Sequence, residues 1–312
     1  MFNYLLAGKK TEAGKMGVSL AASWAWGVSV VVGMEIFQGK GLAAFVIWAA
    51  GNSLALLLFG LLSLKVNIGL TLQDVSGSRF IHWFAFAIQF FSILANMTAL
   101  KIAAVILGLS PLIFTICICV VVIAYTWRGG LKASIETDLL QFMTWMALLL
   151  AVILLGGCSS NSREIVLSGF ADVRWATWGA VTLLAAPFVD QQLWQRRFAL
   201  KVDSLRAFVA GAVCFAVYMI LVGLAAYYNV GGIVIGLVIL MVAMSTLDSA
   251  FMAVACYGRR SPAHGRFLAL VVFAAALLFL LFDIGLLELW TFYSSLRLPV
   301  AVYVIYKIVF KK

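Results

Sequence analysis

The feature that most constrains this chain is a succession of apolar runs separated by short polar breaks, each run long enough to cross a bilayer. The runs fall at 17–37, 41–63, 80–106, 109–127, 138–157, 174–193, 204–228, 231–257, 265–283 and 286–309. A helical span uses about 20 apolar residues, so the spacing predicts about ten spans and no sizeable soluble domain. A soluble domain is about half apolar and a quarter charged. Here 65% of residues are hydrophobic, 11% are charged and the mean hydropathy is +1.10. That balance excludes an ordinary globular enzyme, a disordered chain and a secreted disulfide scaffold. The expectation is an all-α polytopic membrane protein. The third and eighth runs exceed what a bilayer requires, which predicts tilted helices there.

The net charge of +10 needs no nucleic-acid partner, because Lys and Arg collect in cytoplasmic loops of membrane proteins. With the N-terminus cytoplasmic, inner segments carry 17 basic residues, from Lys9 to Lys312, and outer segments carry Lys40, Arg163 and Arg174. Lys101 and Arg297 fall within spans. An even number of spans and this asymmetry place both termini on the cytoplasmic side. The opening MFNYLLAGKKTEAGK is too polar for a cleavable signal peptide. Cys117 and Cys119 read as small apolar fillers, and the mid-chain LLGGC ending at Cys158 reads as a helix end. His82 and His264 lie far apart and form no metal pattern. No nucleophile–base constellation appears either, so the chain is read as a non-enzyme with no cofactor and no metal beyond a coupling ion.

Two spans carry interruptions. SWAWG, Ser23 to Gly27, weakens the first, and AAPFVDQQ breaks the sixth with Pro187 just before Asp190. Broken helices in corresponding positions of two halves mark transporters built from an inverted repeat; kinks of this kind also occur in ordinary membrane helices. Charges inside spans are costly and line cavities or pathways. They are Glu35, Lys101, Asp138, Asp190, Asp248, Asp283, Glu288 and Arg297, of which Glu35, Asp283 and Glu288 fall near outer ends. In MSTLDSA, Ser245, Asp248 and Ser249 share one helical face, with Thr246 beside Ser245. Those oxygens are hard ligands suited to an alkali cation. The same residues could instead back-bond to their own helix, with Asp248 at a contact between spans.

YTWRGGLKASIETDLLQ (Tyr125 to Gln141) resembles the fifth-span segment of the sodium/solute symporter family, with its Tyr-Thr, Gly-Gly and Thr-Asp…Gln pattern. DQQLWQRRFALK (Asp190 to Lys201) is similar to the family's stretch leaving the sixth span, MSTLDS to its eighth-span sodium motif, and YLLAGKK to the segment before its first core span. Arg128 and Glu136 are charged departures within the fifth-span motif.

The resemblance implies the leucine-transporter-type fold: two inverted five-helix repeats, 1–157 and 158–312, working by alternating access. It also implies sodium-coupled symport of a small polar solute. Carried over by motif, the sodium site comprises Ser245 and Thr246 side chains with carbonyls of Val242, Ser23 and Trp26; a one-residue slip would substitute Ala22 and Ala25. Asp138, Asp248 and Ser249 would form a second cation site or the sodium exit path. Asp190, Trp24, Trp26 and Glu35 would face substrate, the bulky tryptophans narrowing the pocket. The implied partners are a small solute, sodium and the bilayer, in a bacterial inner membrane. Symporter-like domains also act as non-transporting sensors or partner subunits that bind a solute, and that alternative stays open at the level of sequence.

Overall fold

The computed structural model describes residues 2–9, 11–66, 71–156, 164–202, 204–258, 261–282 and 284–310. Cys158, Arg163 and Asp283 lie outside the described residues, as do several of the basic residues counted above. The elements are α1 (Phe2–Leu6), α2 (Ala13–Trp24), α3 (Gly27–Lys40), α4 (Leu42–Ser63), α5 (Leu72–Ser76), α6 (Arg79–Ile106), α7 (Pro111–Gly156), α8 (Phe170–Ala185), α9 (Gln191–Ala199), α10 (Leu205–Tyr227), α11 (Ile233–Ala255), α12 (Pro262–Phe279) and α13 (Leu286–Phe310). Short 3-10 turns cover Ala7–Lys9 and Ala186–Val189. The described residues form no strand; one isolated bridge ties Thr11 to Leu200.

Seven of these helices are long and apolar enough to cross a membrane, or eight if the bent pair α2–α3 counts as one span. The chain is an integral membrane protein. Burial separates centre from periphery: 67% of the apolar window is buried in α6 and in α11, against 22% in α7 and 28% in α12. The outward faces of α7 and α12 carry Val120, Leu140, Met143, Leu154, Val271 and Leu278, side chains that gain nothing from water and suit hydrocarbon.

The runs expected at 109–127 and 138–157 form one assigned helix, α7, whose backbone leaves helical geometry at Gly130 (φ 62°, ψ −154°). The second segment therefore begins before 138 and takes in Lys132 and Glu136, an exposed i, i+4 pair 3.7 Å apart. Gly130 is glycine for two reasons: its φ is positive, and a Cβ there would lie 2.5 Å from the Tyr4 carbonyl oxygen.

The first span breaks where SWAWG weakens it. Helices α2 and α3 meet at 61° across Ala25 and Trp26. Gly27 opens α3 because a Cβ there would sit 2.7 Å from Ala99 Cβ and 3.2 Å from Ala243 Cβ. The break is thus wedged between α6 and α11. In the sixth run, Pro187 lies in the 3-10 turn after α8. Asp190 then caps α9, its side chain accepting from Gln192 N–H at 2.9 Å.

Candidate cation and solute sites at the helix breaks

Breaking α2 at Ala25 redirects backbone donors. Trp26 N–H turns back to Trp24 O (3.0 Å), Gly27 N–H donates to Asn96 Oδ1 (2.9 Å) and Ser29 N–H donates to Trp26 O (2.7 Å). The carbonyls of Ala22, Ser23 and Ala25 thereby lose the donors a continuous helix would supply four residues on. Across the gap, Thr246 Oγ1 donates to Val242 O at 3.1 Å and to Ala25 O at 3.4 Å. The first-span carbonyl facing Thr246 is therefore that of Ala25. The neighbouring Trp26 carbonyl accepts from the Ser29 backbone and hydroxyl, and the Ser23 hydroxyl bonds back to Ser19 O and Leu20 O.

Directly beside this contact lies a buried polar cluster made by α2, α7, α9 and α11. Asp138 accepts from Ser245 Oγ at one carboxylate oxygen (2.5 Å), and from Ser19 Oγ (2.5 Å) and Arg196 Nη2 (2.7 Å) at the other. Arg196 also donates to Ser249 Oγ (2.6 Å), Ser134 Oγ (3.3 Å) and, through Nε, to Ser19 Oγ (2.9 Å). Both charged side chains are 0% exposed. Asp248 accepts four hydroxyl donors: Tyr125 and Thr137 on one oxygen, at 2.6 and 2.9 Å, and Ser134 and Ser249 on the other, at 2.6 and 3.1 Å. No cationic side chain bonds to it among the described residues. The cluster thus gathers two carboxylates, one guanidinium and a shell of hydroxyls. Apart from the guanidinium, every group in the set presents oxygen, the ligand a hard cation takes, and one of the two carboxylates has no cationic partner among the described residues.

By charge alone, Arg196 and Arg197 belong among the solvent-facing basic residues of the inner segments. That is corrected here: both are buried in α9, Arg197 donating to Val66 O at 3.1 Å. A signal existed, since a short helix carrying Gln191, Gln192, Gln195, Arg196 and Arg197 directly after a proline break holds more polar groups than its one apolar side, Trp194 and Phe198, can leave in water, and needs polar partners. Tyr125 and Thr137 stand in the sequence only as members of the fifth-span motif, and Ser19 and Ser134 gave no signal; each is an ordinary hydroxyl until neighbouring helices bring it to a carboxylate.

On the other side of the break is a small cavity of about 20 Å³, room for little more than one water, walled by Trp24, Trp26, Trp48, Asn52, Tyr293 and Arg297 among others. Trp24 is pinned by its indole N–H on Asn52 O (3.0 Å). Trp26 stacks on Tyr293, their ring centres 5.6 Å apart and their planes 19° apart. Of the remaining sequence candidates, Glu35 is exposed on α3 and Asp190 is fully buried. Neither lines this cavity; the Asp190 carboxylate is held by Gln89 Nε2 (3.1 Å) and Gln192 N–H. Arg297, left unassigned by the sequence, does line it.

No protein-family model matches the chain, and no curated protein matches it. Among solved structures, the chain superposes on a Na+-coupled sialic acid symporter, solved substrate-bound and outward-open, with TM-score 0.68 and 15% identity; the match covers 99% of this chain and 81% of that one. At that identity the likeness concerns the fold. A manganese transporter from Eremococcus coleocola matches at TM-score 0.42 and 13% identity, over 96% of this chain and 66% of that one, too distantly to carry an argument. The chain therefore has the helical fold of a sodium-coupled symporter.

Proposed function

We propose that this protein is a sodium-coupled symporter of a small solute, built from two inverted five-helix repeats and working by alternating access. The observation that carries the reading is the meeting of Ala25 O, freed by the first-span break, with Thr246 Oγ1 on α11. Sodium would sit between the carbonyls of Ala22, Ala25 and Val242 and the hydroxyls of Ser245 and Thr246. This is the register one residue back from Ser23 and Trp26, and it is favoured by the donors that Trp26 and Ser29 turn elsewhere. Asp138, Asp248 and Ser249 would provide a second cation site or the inward path. The solute would bind in the aromatic cavity across the break.

The repeat is supported by how helices exchange neighbours. If α2–α3 corresponds to α8–α9, then α4 corresponds to α10 and α6 to α11. Helix α4 packs on α8 while α10 packs on α2, and α6 packs on α11 and α4 on α10, each pair its own counterpart. Five spans per half would invert the second half relative to the first. Counting α7 as two spans about Gly130, and α8–α9 as one broken span, brings the total to ten. The remaining basic asymmetry would put both termini in the cytoplasm of a bacterial cell.

In this mechanism sodium joins α2–α3 to α11 and favours the outward-facing state; it can shift the equilibrium only by binding that state more tightly. The buried Arg196–Asp138 pair joins α9 to α7 on the path inward, so opening to the cytoplasm must part it or carry it along. The test is solute uptake into proteoliposomes with and without an inward sodium gradient, together with sodium binding to the purified protein. Gradient-driven accumulation is expected. Absence of both accumulation over a broad solute panel and sodium binding would overturn the proposal, and solute binding without flux would identify a sensor or partner subunit instead.

A further inference from the structure

Arg297 is an expensive residue for α13. It is 1% exposed in a membrane-spanning helix. Its Nη2 donates to Ser294 Oγ at 3.0 Å, and its guanidinium lies 4.6 Å from the Tyr293 ring centre and 5.7 Å from that of Trp26. Its Nε–H is buried without an acceptor. No carboxylate among the described residues forms an ion pair with it. Asp190, whose field reaches Arg297, spends its hydrogen bonds on Gln89 and Gln192. A purely structural arginine would be expected to satisfy its fork; a buried charged donor left unmade costs more than a neutral one.

The unmade donors belong to residues that wall one cavity. Arg297, Tyr293, Trp26 and Trp48 all line the one cavity, and Tyr293 OH and the indole N–H groups of Trp26 and Trp48 are likewise buried without partners. Several donors around one small space, with a guanidinium among them, ask for an acceptor-rich anion. A guanidinium matches a carboxylate in planarity and spacing and binds it through two parallel hydrogen bonds. The rest of the wall is aromatic or aliphatic, from Trp24, Trp290, Val28 and Leu183, with Ser29 and Asn52 as polar exceptions. That lining suits an apolar or planar body.

We propose that the solute is a small monocarboxylate with an apolar or planar body, its carboxylate held by Arg297 and supported by the hydroxyl of Tyr293 and the indole of Trp26. The proposal rests on the reading of this cavity as the solute site, which must widen from its present volume as the carrier opens, and adds the chemical class. Arg297 then sets specificity: a neutral analogue leaves the guanidinium unpaired and is rejected, as a site built to hydrogen-bond a substrate group rejects ligands lacking it. A coupling sodium fits this charge, since an anion entering the membrane core is best accompanied by a cation.

The test uses purified full-length protein in detergent, with sodium and chloride held constant. Thermal stabilisation is read for matched carboxylate and amide pairs: benzoate and benzamide, nicotinate and nicotinamide, isobutyrate and isobutyramide. Each pair keeps shape and removes charge. At least one carboxylate should stabilise the protein while its amide does not. Arg297→Gln should weaken that carboxylate by at least about thirtyfold, and Arg297→Lys should retain part of the binding. Equal stabilisation by the amides, or none by any carboxylate, overturns the proposal on the wild-type protein alone, whether or not the variants fold. Because binding is read without a gradient, carboxylate binding with no sodium-driven flux would refute symport and leave the assignment of Arg297 standing. Sodium-driven flux of a neutral solute with no carboxylate binding would do the reverse.

Discussion

Replacing Arg196 tests the buried cluster most directly. Arg196→Gln removes the cation bonded to Asp138 and leaves that carboxylate with only the Ser19 and Ser245 hydroxyls, at a position with no exposure. Removing one partner of a buried pair costs about 3–5 kcal/mol, because the remaining charge is stranded. The other lost bonds add little: Ser134 and Ser249 still donate to Asp248, and Ser19 still donates to Asp138. Asp138→Asn leaves Arg196 with Asp248, which it reaches through the Ser134 and Ser249 hydroxyls, and should cost less than Arg196→Gln but still at least about 1 kcal/mol. With both substitutions no net charge remains on the pair, so the double variant should recover about 2–3 kcal/mol relative to the sum of the singles. The assay is unfolding in mixed micelles, followed by the fluorescence of the 10 tryptophans, with all four proteins compared at one sodium concentration. Single costs below about 1 kcal/mol, or singles that add to the double within about 0.5 kcal/mol, would refute a buried and mutually compensated pair.

Two further outcomes test neighbouring features. Ser245→Ala with Thr246→Ala removes two of the five proposed sodium oxygens and should raise the sodium needed for half-maximal uptake by at least about tenfold, a change of roughly 1.4 kcal/mol; an unchanged sodium requirement would remove that site. Gly130→Ala forces a Cβ into a positive-φ position 2.5 Å from Tyr4 O and should destabilise by about 1–3 kcal/mol, read in the same unfolding assay; a neutral effect would mean that α1 does not pack against the α7 break.

Much of the architecture was legible because a bilayer imposes its own arithmetic. Apolar runs of span length correspond to α4, α6, α10, α11, α12 and α13. Pro187 and Gly27, just after Trp26, mark two of the places where the helices break. What misled was the run separation around Gly130. Lys132 and Glu136 are polar enough to read as a loop, yet they continue the helix because each faces water and pairs along one side. Arg196 misled in the opposite direction: charge suggested solvent, whereas the chain buries it against Asp138.

The amino-acid sequence by itself determined that this protein lives in a membrane, where its long apolar helices run and that helices break at Gly27 and near Pro187, since hydropathy, proline and glycine act locally. It also singled out Ser245, Asp248 and Ser249 by their spacing on one helical face, with Thr246 beside Ser245. Only the tertiary structure decided which oxygens and charges meet. Thr246 faces Ala25, Arg196 closes on Asp138 from a different helix, and Arg297 arrives at the aromatic cavity from the last helix. Those pairings depend on the packing of helices far apart in the chain. In a medium that solvates no charge, that packing determines whether a charged side chain has a counter-ion or is left to find one in a solute.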